Sequence, residues 1–154
     1  MLRLELRIPP LLLSILFAAL MWLAALMSPV VALPEHLGKI LIIDFVIAGL
    51  VVICAGLAAF IAAKTTVDPT RPGRSSSLVT TGIYKFTRNP MYLGLLCLLV
   101  AWAIYLSSPL SLLIAMGFIP YMNRFQIRPE ERSLEKVFGE HYAEYKRQVR
   151  RWLM

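Results

Sequence analysis

Residues 78–94 read LVTTGIYKFTRNPMYLG, the one polar, motif-like passage lying directly between two long apolar runs. Asn89 is a residue type favoured at a helix N-cap. Pro90 suits the first helical position, where a missing N–H costs nothing, so the spacing predicts a helix that starts here and runs on through Met91. Its continuation, LGLLCLLVAWAIYL, is apolar enough to enter a bilayer. A helix N-terminus is thereby expected at a membrane surface, its first amides and positive dipole end flanked by Lys85 and Arg88. Such a place attracts an anionic group, a carboxylate or a phosphate.

Outward from this passage the chain is mostly apolar: 58% of its 154 residues are hydrophobic and 16% charged, with a mean hydropathy of +0.69. That balance predicts one membrane domain over residues 1–154 and argues against a soluble one. Apolar runs cover 8–27, 40–63, 91–106 and 110–125. At ~1.5 Å per residue the first two cross a ~30 Å hydrocarbon core, and the last two are short for it. The first run is long for the apolar core of a signal peptide and is read as a retained span. Ser107, Ser108 and Pro109 leave room only for a tight helical hairpin. The fold class expected is all-α and integral to the membrane, with four transmembrane helices and a C-terminal cytoplasmic amphipathic helix. Gly49 and Gly56, with Ala55, Ala59 and Ala63, give the second span small-residue stripes for close helix contact.

The net charge of +7 sits in particular loops. Of 16 Lys and Arg, two are Arg3 and Arg7, one is Lys39, five lie between Lys64 and Arg88, and eight lie from Arg124 onward. With the N-terminus in the cytoplasm, every one except Lys39 is cytoplasmic, so the positive-inside rule puts both termini and the loop 64–90 on that side, at the inner membrane if the source is bacterial. No nucleic-acid partner is expected, because the charge does not cover a soluble face. Tyr84, Tyr92, Trp102, Tyr105 and Tyr121 fall near expected helix ends, as an aromatic belt would. Asp44 lies near the outer end of the second run, where an interfacial role is expected ahead of a proton or substrate role. Cys54 and Cys97 fall inside apolar runs and read as buried small hydrophobes.

From Gln126 the chain reads QIRPEERSLEKVFGEHYAEYKRQVRRWLM. Pro129 in the first turn with Glu130 and Glu131 predicts a helix start, and the basic residues Lys146, Arg147, Arg150 and Arg151 suit its C-terminal end. Leu134, Val137, Phe138, His141, Tyr142, Tyr145, Val149 and Trp152 recur at the spacing of one face, so a single amphipathic helix is expected over 129–151. Gly139 in its interior calls for a close contact or a kink.

On one side of the membrane the sequence thus gathers a helix start with Lys85 and Arg88, the hydroxyls of Tyr84 and Tyr92, and the Glu130–Glu131 pair. No HExxH, CxxC, P-loop or GxSxG occurs, so no metal is expected, and nucleotide hydrolysis and serine nucleophile chemistry lack support.

The pattern TGIYKFTRNPMYLG, followed after two apolar runs by EERSLEKVFGEHYAEYKRQV, resembles the integral-membrane methyltransferases of the isoprenylcysteine carboxyl methyltransferase and phospholipid methyltransferase kind. The resemblance covers about Ser76 to Val149. It implies S-adenosylmethionine as cofactor, contacted by Ser76, Ser77, Leu78, Val79, Tyr84, Asn89, Pro90, Met91, Tyr92 and Glu130. Two positions depart from the carboxyl methyltransferases, which have His where this chain has Asn89 and a substrate-binding Arg where it has Gln126. Arg124 and Arg128 stand close by as candidate substrate contacts, and the acceptor is left open among a lipid amine, hydroxyl or carboxylate. Methyl transfer from a sulfonium asks chiefly for alignment and a dry pocket; a protonated acceptor also needs a base, for which Glu131, Tyr92 and His141 are candidates. Arg88 is expected either to bind the cofactor carboxylate or to mark the membrane boundary. Rival readings are a small four-span transporter, a non-catalytic membrane scaffold and a nicotinamide-dependent membrane reductase.

Overall fold

The computed structural model describes residues 6, 8–63 and 77–153. These are helical throughout, without a strand: α1 Pro10–Ala25, α2 Glu35–Ala62, α3 Pro90–Tyr105, α4 Pro109–Met122, α5 Arg128–Phe138 and α6 Glu140–Gln148. A 3-10 turn, Gly82–Lys85, precedes α3, and a π-helical turn, Asn123–Ile127, joins α4 to α5.

The second helix begins five residues before the apolar run does. Pro34 occupies its N-cap position and Glu35 its first turn, where Lys39 pairs with Glu35 at 2.6 Å. It is the one described helix long and apolar enough to cross a membrane. The apolar helices α1 and α3 have 16 residues each, and α4 has 14. Asp44 therefore stands nine positions into α2, ~14 Å along its axis, and is exposed, deeper than its place in the apolar run suggests. Cys54 is exposed on the same helix, against the expectation of burial.

Central to the bundle is α3, which packs against α2 on one side and against α1 and α4 on the other. Its core joins Leu13 and Met21 of α1, Leu95 and Leu99 of α3, and Phe118 and Met122 of α4. The only buried residues of α2 are Gly49 and Gly56, which lie on α3. A Cβ on Gly94 would sit 2.6 Å from the Gly49 carbonyl oxygen and 2.5 Å from Ile53 Cγ1, so the two backbones are in direct contact there. Much of the rest of α1 and α2 is exposed and apolar, including Leu12, Leu16, Ile43, Ile47 and Val51, a surface suited to lipid. Ser107, at φ 50, makes the α3–α4 turn, and the Ser108 side chain caps α4 by accepting from Ser111 N at 3.1 Å.

Two expected boundaries are corrected. No break separates the fourth apolar run from the amphipathic helix: α4 ends at Met122 and the chain stays helical through the π turn into α5. Pro129 has no N–H and so leaves the Phe125 carbonyl without its helical donor; Leu6 N donates to that carbonyl at 3.2 Å. Beside it the buried Gln126 donates from Nε2 to Ile8 O at 2.7 Å, which docks the start of α1 on the π turn. The second correction concerns the helix expected over 129–151. It breaks at Gly139, whose φ of 53° and ψ of −125° only glycine adopts easily, and α6 ends at Gln148 with Val149 extended. The demand on Gly139 is the kink, since a Cβ there would meet nothing within 4 Å.

Candidate functional site

The start of α3 and the start of α5 meet. Tyr92, one turn into α3 and buried, donates its hydroxyl to Glu130 Oε1 in a short hydrogen bond. Burial first, with the neighbouring Glu131 adding to it, lifts the Glu130 carboxyl from 4.5 to about 8, against the downward pull of the Tyr92 bond. Tyr84, in the 3-10 turn, is buried under Phe60 in an edge-to-face contact at 5.5 Å between ring centroids. Its carbonyl accepts from the Tyr145 hydroxyl at 2.7 Å. Burial and then the nearby Tyr145 and Glu130 push the Tyr84 hydroxyl upward. Neither Tyr84 nor Tyr92 belongs to an interfacial belt, contrary to expectation; both are internal.

Glu131 faces elsewhere. Successive helical residues are rotated by ~100°, so the two carboxylates cannot share one partner set. The buried Glu131 carboxylate takes a forked pair from Arg151, Nε to Oε1 at 2.9 Å and Nη2 to Oε2 at 2.6 Å. Arg88 Nη1 stands 3.0 Å from the same Oε1, and only 9% of the Arg88 side chain is exposed. That contact lacks hydrogen-bond alignment: Arg88 Nε and Nη1 are buried and donate no hydrogen bond. Burial and Glu131 raise the Tyr142 hydroxyl, while the nearby Arg88 guanidinium pulls the other way.

At the head of α3, Asn89 occupies the N-cap position, but its side chain does not cap the helix as the sequence suggested. Asn89 Nδ2 donates instead to Arg151 O at 3.0 Å. Thr87 Oγ1, fully buried, donates to the same carbonyl at 2.9 Å and accepts from Asn89 N at 3.2 Å. Arg88 N donates to Arg150 O at 2.9 Å. Among the described residues no side chain caps α3, and Pro90 has no amide, so Met91 N and Tyr92 N head the helix without a described capping side chain.

Of the other residues singled out, Ser77 donates its hydroxyl to Ala63 O at 3.3 Å, Leu78 packs against Tyr142, Tyr145 and Val149, and Val79 is buried. Ser76 and the loop residues 64–75 lie outside the described residues. Pro90 is buried against the Gly56 face of α2, with Met91 beside it. Arg124, Arg128 and His141 are exposed, and among the described contacts none of them hydrogen-bonds to or pairs with Tyr92 or Glu130. Glu131 is committed to two arginines, and of the residues considered as bases only Tyr92 contacts Glu130. Arg151, Thr87, Tyr145 and Trp152 carry no signal in the sequence as site residues. Arg150 and Arg151 were expected at a helix end, yet both lie beyond it.

A family model described as phospholipid methyltransferase matches residues 44–141. An uncharacterized protein of Haemophilus influenzae is 49% identical over 63 residues, 41% of this chain and 100% of that protein. The protein-S-isoprenylcysteine O-methyltransferase of Saccharomyces cerevisiae is 38% identical over 72 residues, 47% of this chain and 30% of that enzyme. The enzyme of the same description from Xenopus laevis is 38% identical over 78 residues, 49% of this chain and 26% of its own length. The match thus spans about a third or less of the named methyltransferases. No solved structure matches.

Proposed function

Because the chain belongs to the phospholipid methyltransferase family, we propose that it is an enzyme transferring a methyl group from S-adenosylmethionine to a lipophilic acceptor drawn from the membrane. On this reading α1 to α4 are four spans, both termini are cytoplasmic as the basic residues require, and the site opens at the cytoplasmic surface. The observation that carries the reading is the head of α3: amides at Met91 and Tyr92 that no described side chain caps, following a nine-tenths buried Arg88 whose Nε and Nη1 donate no hydrogen bond. A carboxylate such as the amino-acid end of the donor suits that combination, and a neutral ligand does not.

The residues present fit the donor at both ends. Arg88 and the α3 amides would take its carboxylate, and Glu130, held by Tyr92, would take its amino or ribose groups, with Ser77, Leu78 and Val79 lining the approach; Ser76, the other contact the resemblance implies, lies outside the described residues. Bound S-adenosylmethionine supplies a sulfonium methyl that is electrophilic without further activation. The chain's own contribution is alignment and the exclusion of water by the buried Tyr84, Tyr92 and Tyr145. With Glu131 occupied by arginines, the candidate to hold a proton lost by an amine or hydroxyl acceptor is the Tyr92–Glu130 pair, in which burial raises the Glu130 carboxyl to about 8. Arg124 and Arg128, exposed where the chain leaves α4, are the candidate contacts for an acceptor's polar end.

Calorimetry with detergent-purified protein tests the donor: binding of S-adenosylmethionine or its demethylated product is expected, weakened by Glu130→Gln and Tyr92→Phe. Neither heat nor a thermal shift with either ligand rejects the assignment. Transfer of a labelled methyl to total membrane lipid and protein fractions then identifies the acceptor class.

A further inference from the structure

Residues 149–152, after α6, do not trail into solvent. Val149 packs on Tyr142 and Tyr145, the Arg150 and Arg151 carbonyls accept from Arg88 N, Thr87 Oγ1 and Asn89 Nδ2, and Trp152 Nε1 donates to Asn123 Oδ1 at 3.1 Å. Residues 149–152 thus strap the head of α3 to the π turn, and the Arg151 guanidinium locks the strap to α5 through Glu131.

Two groups next to the proposed donor site compete with an incoming carboxylate, and Arg151 holds both. Glu131 is itself a carboxylate 3.0 Å from Arg88; were its oxygens free, it would form the forked pair with Arg88 and consume the N–H groups a ligand needs. Arg151 takes both oxygens in good geometry, and Arg88 is left with a poorly aligned contact. The Asn89 side chain is the other competitor, since asparagine at an N-cap ordinarily turns its oxygen onto the first amides of its own helix. Here the Arg151 carbonyl draws Asn89 Nδ2 outward and those amides go uncapped.

We propose that Arg151 is a positioning residue that sets donor affinity by holding Glu131 out of hydrogen-bond alignment with Arg88, 3.0 Å away, and by keeping Asn89 off the α3 amides. The proposal rests on the donor assignment above. Its signature is competition. Loss of Arg151 raises the donor KM and leaves kcat at saturating donor nearly unchanged, because a ligand that does bind still meets the same Tyr92–Glu130 pair.

The test uses the full chain in detergent, labelled with 5-fluorotryptophan, with S-adenosylmethionine and its demethylated product as probes. Arg151→Ala is expected to move the Trp152 fluorine resonance, identified by its loss in Trp152→Phe, while those of Trp22 and Trp102 stay in place. Donor affinity falls tenfold or more, and Arg151→Lys, with one point charge for two oxygens, falls between. Adding Glu131→Gln to Arg151→Ala removes the stronger competitor and returns affinity toward the unaltered protein, whereas a merely structural role makes the double variant worse still. A moved Trp152 resonance with unchanged affinity overturns the proposal, as does a resonance that does not move or a double variant weaker than Arg151→Ala. Failure of the unaltered protein to bind either probe overturns the donor assignment itself, a separate result because no variant enters it.

Discussion

The Tyr92 hydroxyl donates to the Glu130 carboxylate across 38 residues of chain, and this one bond ties the first turn of α3 to the first turn of α5. Everything between them, the α3–α4 hairpin and the π turn, serves to bring these two helix starts to the same end of the bundle. The acidic pair is thereby divided: Glu130 goes to the tyrosine and Glu131 to two arginines, so adjacent residues perform different work.

Glu130 makes the protein's stability depend on pH in a direction opposite to that of an ordinary salt-bridged carboxylate. Its folded value lies near 8 against 4.5 when unfolded, so the folded chain binds the proton more tightly. The stabilisation is fully present below about 4.5 and is lost as pH rises through about 8. Thermal unfolding in detergent between pH 5 and pH 9 should show a falling midpoint for the unaltered protein and a flatter profile for Glu130→Gln. Parallel profiles would contradict the assignment of this slope to Glu130.

Gly94→Ala should be among the most damaging single-methyl additions. Its Cβ meets a backbone oxygen at 2.6 Å and the stem of Ile53 at 2.5 Å, neither of which can swing aside, so α2 must move off α3. A loss of at least ~2 kcal/mol is expected from such overpacking. Gly117→Ala, inside α4 with nothing within 4 Å of the new methyl, should be neutral or gain up to ~1 kcal/mol from helix propensity. Comparing the two thermal midpoints checks both, and similar values would show that the α2–α3 contact is not tight.

The helices were legible because apolar length and helix-start residues are local signals. Asn89-Pro90 opens α3 as expected, and Ser108-Pro109 opens α4. What could not be read was where side chains go once elements meet. Asparagine at an N-cap predicts a cap, yet a carbonyl 62 residues later claims its amide. Eight basic residues after Phe118 look equivalent in composition, and only the fold distinguishes Arg151, forked onto a buried carboxylate, from Arg147, paired on the surface with Glu140 and Glu144. The break at Gly139 was partly visible: glycine in an amphipathic pattern signalled a kink, but the heptad-like spacing continued through it and masked its size.

Gly139→Ala isolates backbone strain from packing. Nothing lies within 4 Å of the added methyl, so any cost arises from forcing φ 53°, ψ −125° on an L side chain. About 1–3 kcal/mol is expected, with α5 and α6 drawn toward one continuous helix and Tyr145 pulled from the Tyr84 carbonyl. Unfolding midpoints, together with the tyrosine near-ultraviolet dichroism, report both effects. An unchanged midpoint would mean that the kink is not needed for stability.

Glu131→Ala tests how much of the fold depends on the ion triad. The Glu131 side chain is 8% exposed and that of Arg88 9%, so removing the carboxylate leaves a nine-tenths buried guanidinium without its ion-pair partner. A loss of about 3–5 kcal/mol is expected for such a buried partner. Glu135→Ala removes the half-exposed partner of Lys146 and should cost no more than ~1 kcal/mol, because a solvated pair contributes little. Raising the ionic strength distinguishes them further: screening should erase the small effect of Glu135→Ala and leave that of Glu131→Ala in place, since a pair out of contact with solvent is poorly screened. Equal effects for the two variants, or a Glu131→Ala loss that disappears in salt, would show that the triad is solvated and that it does not hold α5 against the head of α3.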